Sequence, residues 1–224
     1  MSQPQLQTKA LPEDAPVLDI AKFKATPLQT DPYDYIMVPG FVVKEAFDPI
    51  IQDYPAITKG GSFALGSLTY GPAFSKLVEA LESEEFRKAV EEKFSVDLTG
   101  KPTIVTVRGY CRRKDGKIHT DTESKIISLL LYMNPSWESQ GGRLRLLRSN
   151  KIDDVAAEVP PTAGTLLVFR RSDHSWHGHT SHEGMRKVVQ LNWVTDKKFV
   201  EYNEKRHGWS SFFKRLNPFE KYEG

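Results

Sequence analysis

Two stretches of the chain hold the side chains best suited to bind a metal ion. The first, GKIHTD at 116–121, places an imidazole and a carboxylate two positions apart, at His119 and Asp121. Residues two apart point the same way on a strand or extended segment, so both groups can reach one ion. The second stretch, DHSWHGHTSHEGMR at 173–186, contains four histidines and supplies candidates for a third ligand. An isolated His-x-Asp pair is most often a solvated loop, so its meaning depends on its surroundings.

Two imidazoles and one carboxylate would occupy one face of an octahedral ion. That ligand set leaves three positions open and is the facial triad of non-heme Fe(II) oxygenases. The open positions are those that oxygen and a bidentate co-substrate require. The residues alone do not choose the third ligand from the four candidates, His174, His177, His179 and His182. A structural zinc site within the histidine cluster is disfavoured, because the cluster contains no cysteine.

The composition of the chain argues against several other classes of protein. The chain has 224 residues, 39% hydrophobic and 27% charged, and a formal net charge of +2. These values are ordinary for a globular protein and give no case for a nucleic-acid partner. The single cysteine, Cys111, excludes an internal disulfide framework. No apolar run approaches the ~18–20 residues of a membrane span, and the N-terminal stretch lacks a signal-peptide core. We therefore expect a cytoplasmic protein without a transmembrane segment.

The elements that must position the metal ligands fall into a helical half and a β-rich half. Apolar residues recur at helical intervals over 43–54 and 74–96, with a break expected near Ser83. A short helix is expected at 18–25, a strand at 33–42 and a loop at 60–72. Strands are then expected at 103–112, 124–134, 143–149, within 158–171, and at 186–195. Several short strands joined by turns predict an antiparallel barrel or sandwich.

Five sequence elements occur in a characteristic order within residues 103–195. They are a strand bearing Tyr110, HTD at 119–121, LLLYMN at 129–134, GGRLRL at 141–146, and WHG at 176–178 with Arg186 beyond. In this order they resemble the 2-oxoglutarate- and Fe(II)-dependent dioxygenases, and within them the prolyl-4-hydroxylase-like branch. The resemblance covers less than half of the chain. It implies an α+β fold with a mainly β core, a double-stranded β-helix (jelly-roll or cupin-like) preceded by N-terminal helices.

The resemblance also implies a set of metal ligands. The family spaces its distal histidine about nine residues before an arginine, which favours His177 because Arg186 lies nine residues further on. His119, Asp121 and His177 are then expected to bind Fe(II). The other histidines of the cluster are expected to be polar loop residues or to support the ligands.

Residues for binding 2-oxoglutarate follow from the same resemblance. Arg186 is expected to hold the distal carboxylate, which a planar guanidinium can grip with two parallel hydrogen bonds. Tyr132 matches a tyrosine that supports this carboxylate, and Tyr110 matches one near the iron; the alternative for each is a core aromatic. Alternation along the last strand places Val188 and Asn192 on the face of Arg186, so both are expected to line the pocket.

These expectations define an enzyme that hydroxylates an unactivated C–H bond while 2-oxoglutarate is oxidatively decarboxylated to succinate and CO2. Its cofactors are expected to be Fe(II), 2-oxoglutarate and O2, and ascorbate is expected to be helpful. The substrate is a small molecule, amino-acid-like or anionic, or a protein side chain such as proline. The alternatives are a cupin-like metalloprotein acting as an isomerase or lyase, and a non-catalytic binding domain. The pairing of Arg186 with Tyr132 favours the oxygenase, since only a 2-oxoglutarate site needs that cation.

We expect one such domain with an extension at each end. Residues 1–30 are expected to be a partly disordered extension, and 31–200 the oxygenase domain, with helical support at 43–96 and the jelly-roll core at 101–196. Residues 201–224 form an amphipathic tail expected to cover the barrel or an N-terminal helix; a homodimer contact or a membrane-surface foot is the alternative. Basic residues near the expected mouth would favour an anionic substrate, the alternative being a solvated surface. They are Arg112, Arg113, Lys114, Lys117, Lys125, Arg143 and Arg145.

Overall fold

Four α-helices and nine strands make up the described part of the chain, residues 11–12 and 14–196 of the computed structural model. The helices are α1 Ile20–Ala25, α2 Lys44–Gln52, α3 Pro72–Leu81 and α4 Glu84–Phe94, with a short 3-10 helix at Leu65–Ser67. The strands are β1 Tyr35–Val38, β2 Phe63–Ala64, β3 Thr103–Cys111, β4 Lys125–Tyr132, β5 Leu144–Leu147, β6 Val155–Val159, β7 Thr165–Arg170, β8 His177–His179 and β9 Gly184–Val194.

The expected break in the long helical stretch lies at Ser83. Its hydroxyl accepts a hydrogen bond from the Phe86 amide at 3.2 Å and caps the start of α4. A serine at this position satisfies one of the amides that have no partner within the helix. At the other end of α4, Ser95 adopts a left-handed conformation that ends the helix.

The strands form two antiparallel sheets that face each other as a double-stranded β-helix. The larger sheet has the order β1-β7-β4-β9-β3-β2, and the smaller has the order β6-β5-β8. The N-terminal helices precede the core in sequence, as predicted. The predicted α+β fold class with a mainly β core is therefore confirmed.

The larger sheet is covered on both faces, which explains why its central strands are so apolar. On β4, Leu129 and Leu131 point to a core shared with the helices, whereas Tyr132 points to a second core between the sheets. On β9, Val189 likewise packs towards the helices and Val188 towards the smaller sheet. Strands buried on both faces have sequences that are continuously apolar, without alternation of apolar and polar residues.

Three short strands were not predicted as separate elements. β2 lies in the stretch expected to be a loop, and 158–171 spans the end of β6, a turn and the whole of β7. β8, His177–His179, has no apolar pattern that could predict a strand; its extended conformation is held by backbone pairing to β5.

The predicted tail, 201–224, and the first ten residues of the predicted N-terminal extension lie outside the described residues. The division of the chain into an extension, a domain and a tail stays a prediction. Within the described residues, no helix has the length and apolar character needed to span a membrane.

Candidate metal centre

Backbone pairing brings together two histidines that lie far apart in sequence. The amide of His119 donates to the carbonyl of His177 at 3.0 Å, and the amide of His177 donates back to the carbonyl of His119 at 3.0 Å. The two imidazole rings consequently lie 4.4 Å apart, centre to centre. One potential ligand atom from each of His119, Asp121 and His177 lies within 4.8 Å of the others. The structure therefore places the three predicted ligands within reach of a single ion.

Each of these histidines is oriented through its Nδ1 atom. Nδ1 of His119 lies 2.8 Å from the carbonyl oxygen of Lys117, and Nδ1 of His177 lies 2.9 Å from that of Ser175. A carbonyl oxygen only accepts, so each Nδ1 must carry the proton and each Nε2 keeps its lone pair. This is the tautomer that a histidine ligand needs, and the backbone fixes it before any ion binds.

The carboxylate of Asp121 is buried and its two oxygens have different partners. The hydroxyl of Ser128 donates to Oδ2 at 2.5 Å and lies 3.0 Å from the side-chain oxygen of Asn192. The Lys125 ammonium donates to Oδ1 at 2.7 Å, and Arg171 donates to the Asp121 backbone carbonyl at 3.1 Å. A carboxylate oxygen has more than one acceptor site, so Asp121 can bind a metal ion while it keeps these hydrogen bonds.

The electrostatic environment favours the protonation states that bind metal. Burial lowers the pKa of His177 to about 4, although the charge of Asp121 opposes this. Burial acts to raise the pKa of Asp121, but Lys125 and His177 outweigh it and lower this pKa to about 2. Near neutral pH the set thus offers a neutral imidazole and an ionised carboxylate, the forms that coordinate a divalent ion. Two nitrogens and one oxygen fit Fe(II).

A cavity of about 310 Å³ lies between the two sheets beside the candidate ligands. His119 and His177 line one part of it, and Arg186 and Val188 of β9 line another. The guanidinium of Arg186 is buried; it donates to the Gly142 carbonyl at 2.8 Å and lies 3.4 Å from the Tyr132 hydroxyl. These contacts leave other N–H groups of Arg186 available to a carboxylate in the cavity.

Two predicted pocket residues have different surroundings from those expected. Tyr110 does not line the cavity; its hydroxyl lies 3.5 Å from the Glu183 carboxylate. The cause is a register shift in β3 between Arg108 and Tyr110, which interrupts the alternation assumed for this strand. Asn192 is buried and does not line the cavity; its side-chain oxygen lies 3.0 Å from the Ser128 hydroxyl.

The remaining histidines of the cluster divide by exposure. His174 is exposed, whereas His182 packs against Trp137 in a tilted arrangement with ring centres 4.5 Å apart. His179 is buried at the cavity, with Nδ1 at 2.9 Å from the Thr180 carbonyl and Nε2 at 3.9 Å from the Cys111 sulfur. Burial and the charge of Arg186 lower the pKa of His179 to about 4. None of the three belongs to the metal-binding group found among the described residues.

Sequence reasoning missed two polar residues that the structure places at this site. Ser128 stands inside the apolar run of β4, and a serine at a fully buried strand position is itself a signal of a required hydrogen bond. Arg108 stands among β-branched residues in β3 and lines the cavity. The adjacent Gly109 was the available signal that β3 departs from regular alternation.

The basic residues expected at the mouth have mostly local partners. Five of them form ion pairs: Arg112 with Asp115, Arg113 with Glu183, Lys125 with Asp121, and both Arg143 and Arg145 with Glu158. Lys114 and Lys117 instead line the cavity. The positive charge that faces the cavity is therefore smaller than the sequence count implies.

Comparison with known protein families gives a match to part of the chain. Residues 105–195 match the family model described as the 2OG-Fe(II) oxygenase superfamily. No curated protein sequence matches the chain. The match begins inside β3 and runs through the end of β9, so it contains all three candidate ligands.

Solved structures of low sequence identity share the fold. Prolyl 4-hydroxylase from Phytophthora capsici aligns with a TM-score of 0.56 at 12% identity, over 85% of this chain and 70% of that one. The viral collagen prolyl hydroxylase of Paramecium Bursaria Chlorella virus-1, solved as a 2OG complex, aligns with a TM-score of 0.52 at 16% identity, over 75% and 99%. This chain covers 64% of a Pseudomonas putida prolyl-4-hydroxylase, at 22% identity over 56% of this chain and a TM-score of only 0.45.

Proposed function

We propose that this chain, whose residues 105–195 match the model of the 2OG-Fe(II) oxygenase superfamily, uses Fe(II), 2-oxoglutarate and O2 to hydroxylate an unactivated C–H bond. The family is one of dioxygenases that use these three components. The proposal goes further in naming hydroxylation as the outcome. The observation that carries it is the convergence of His119, Asp121 and His177 beside a cavity that also contains a buried arginine.

We assign metal binding to these three residues. Nε2 of each histidine and one carboxylate oxygen of Asp121 would hold Fe(II) beside the cavity. When bound, the iron supplies the activation of O2 that is coupled to conversion of 2-oxoglutarate to succinate and CO2, with one oxygen atom delivered to the substrate as a hydroxyl.

The other residues of the site orient the co-substrate and restrict water. Arg186, with Tyr132 beside it, would hold the distal carboxylate, because a buried guanidinium without an acidic partner among the described residues gains from an entering anion. Val188 contributes an apolar wall. The Phe169 ring packs on His177, with ring centres 5.0 Å apart, and shields that ligand from solvent.

The substrate is either a small molecule, amino-acid-like or anionic, or a protein side chain such as proline. Two of the aligned structures with TM-scores above 0.5 are prolyl hydroxylases by name, which makes prolyl peptides the first substrates to test. Free amino acids and acidic metabolites form the second group, because two lysines line the cavity.

The test is succinate formation coupled to O2 consumption, measured across such a panel with the wild type and Asp121→Ala. The wild type should release succinate in step with O2 use and with appearance of a hydroxylated product, and Asp121→Ala should lose all three. Asp153→Ala removes an acidic side chain that is 94% exposed and should behave as the wild type. Undiminished turnover and iron affinity in Asp121→Ala would contradict the assignment of Asp121 as a metal ligand.

A further inference from the structure

A second arginine, besides Arg186, faces the cavity. Arg108 of β3 lines the same cavity as Arg186. Among the described residues, neither arginine forms an ion pair with an aspartate or glutamate. Asp115, the acidic residue among those that line the cavity, is bound by Arg112 at 2.9 Å. Two guanidinium groups that share a cavity repel each other, and an anion between them removes that cost.

Strand pairing fixes the position of Arg108 relative to the co-substrate residues. Arg108 lies opposite Val188 on one side of β9, and Tyr132 lies opposite Val188 on the other side. Arg186 is two residues from Val188 on the same face of β9. Arg108, Tyr132 and Arg186 therefore surround Val188 and form one polar group, which is consistent with the charge of Arg186 helping, after burial, to lower the pKa of Arg108.

This polar group lies at some distance along the sheet from Ser128, the residue that hydrogen-bonds to Asp121. Ser128, which holds Asp121, is paired with Asn192, four residues along β9 from Val188. Four residues of a strand correspond to about 13 Å. Arg108 thus lies towards Arg186 and away from the level of Asp121. An anion that meets Arg108 is therefore one that reaches the end of the cavity marked by Arg186.

We propose that Arg108 and Arg186 together clamp the distal carboxylate of 2-oxoglutarate, so that Arg108 selects a dicarboxylic co-substrate. The inference rests on the proposed function, since it requires 2-oxoglutarate to be the molecule in the cavity. Two guanidinium groups can each donate to a different carboxylate oxygen, and Tyr132 contributes a hydroxyl to the same end. A 2-oxo acid without a distal carboxylate would leave both cations unneutralised and should bind weakly.

The test compares two ligands on Mn(II)-loaded protein by titration calorimetry. The ligands are 2-oxoglutarate and 2-oxopentanoate, which has the same carbon chain without the distal carboxylate. For Arg108→Met, the dissociation constant for 2-oxoglutarate should rise about 10- to 100-fold, the loss expected for a charge-assisted hydrogen bond. The dissociation constant for 2-oxopentanoate should stay the same. Arg108→Lys keeps the charge without the planar fork and should give a smaller loss.

The matched control is Arg145→Met. Arg145 neighbours the cavity-lining Leu144 on β5 but is ion-paired with Glu158 at 3.1 Å, so its loss should leave both dissociation constants unchanged. Thermal melting of each variant identifies misfolding, and Arg108→Lys preserves the test if Arg108→Met does not fold.

The outcomes separate the inference from the proposed function. If wild-type protein does not prefer 2-oxoglutarate to 2-oxopentanoate, the proposed function and the inference both fall. If the wild type prefers 2-oxoglutarate and folded Arg108 variants keep that preference in full, only the inference about Arg108 is overturned. An Arg108 variant in which only the KM of the hydroxylated substrate rises would also overturn that inference.

Discussion

Replacing Ser128 by alanine should weaken metal binding although Ser128 touches no metal. Its hydroxyl donates to Oδ2 of Asp121 at 2.5 Å, and both residues are buried. A hydrogen bond to a charged group contributes about 1.5–3 kcal/mol, which corresponds to a factor of roughly 10 to 150 in a binding constant. Loss of residues that support metal ligands typically costs about 10- to 100-fold in affinity, in agreement with that range. We therefore expect the Mn(II) dissociation constant of Ser128→Ala to rise 10- to 100-fold.

The assay is competition with a chelator of known affinity at neutral pH. Ser124→Ala is the matched control: among the described residues, the hydrogen-bond partner of the Ser124 hydroxyl is the exposed Thr122 hydroxyl, at 3.1 Å, so its loss should not change the affinity. An unchanged Mn(II) affinity in a folded Ser128→Ala protein would show that Asp121 does not depend on this hydrogen bond, and would refute the reasoning.

Three further predictions concern the cavity. Gly116→Ala should destabilise the protein by about 1–3 kcal/mol in denaturant unfolding, because Gly116 has φ +85° and a Cβ there would overlap His179. Gly100→Ala is the control: Gly100 has φ +68° but open space around it, so this variant should lose less stability. Equal losses of stability in the two variants would exclude the overlap. Tyr132→Phe should raise the 2-oxoglutarate dissociation constant about 3- to 10-fold in calorimetry, and no rise would show that the hydroxyl takes no part. In metal-free protein, burial and the charge of Arg186 lower the pKa of His179 from its ordinary 6.5 to about 4, so the unfolded state binds the proton first and stability should fall as the pH drops through this window. His179→Gln should reduce that fall by up to about 3 kcal/mol, measured by unfolding at several pH values, and an unaltered slope would contradict the assignment.

The fold was largely predictable, because the spacing of apolar residues indicates where the helices and long strands lie. The helices with clear apolar spacing and the long strands all occur near their predicted positions, and the helix break occurs at Ser83, where a hydroxyl caps α4. β8 was missed because its three residues, His177–His179, show no apolar alternation and owe their conformation to pairing with β5. Pairing between distant strands is not encoded in local sequence.

The site was predictable as a set of residue types but not in its detailed contacts. The structure brings His119, Asp121 and His177 together, and Arg186 lines the cavity with Val188 as expected. Tyr110 was predicted at the cavity, but Arg108 lines it instead. Simple alternation of side chains along a strand could not predict this, because one irregularity in β3 changes which face later residues occupy. The support of Asp121 by Ser128 was likewise not predicted, because it depends on how the segment that carries Asp121 lies against β4.

The central claim is that one Fe(II) ion and 2-oxoglutarate meet at His119, Asp121 and His177. Anaerobic addition of Fe(II) and 2-oxoglutarate should produce a weak visible charge-transfer band in the wild type. The band should be absent from Asp121→Ala and His177→Ala and retained by His174→Ala, which removes an exposed histidine of the same loop. Absence of the band from folded wild-type protein, or equal intensity in the Asp121 and His177 variants, would contradict the claim.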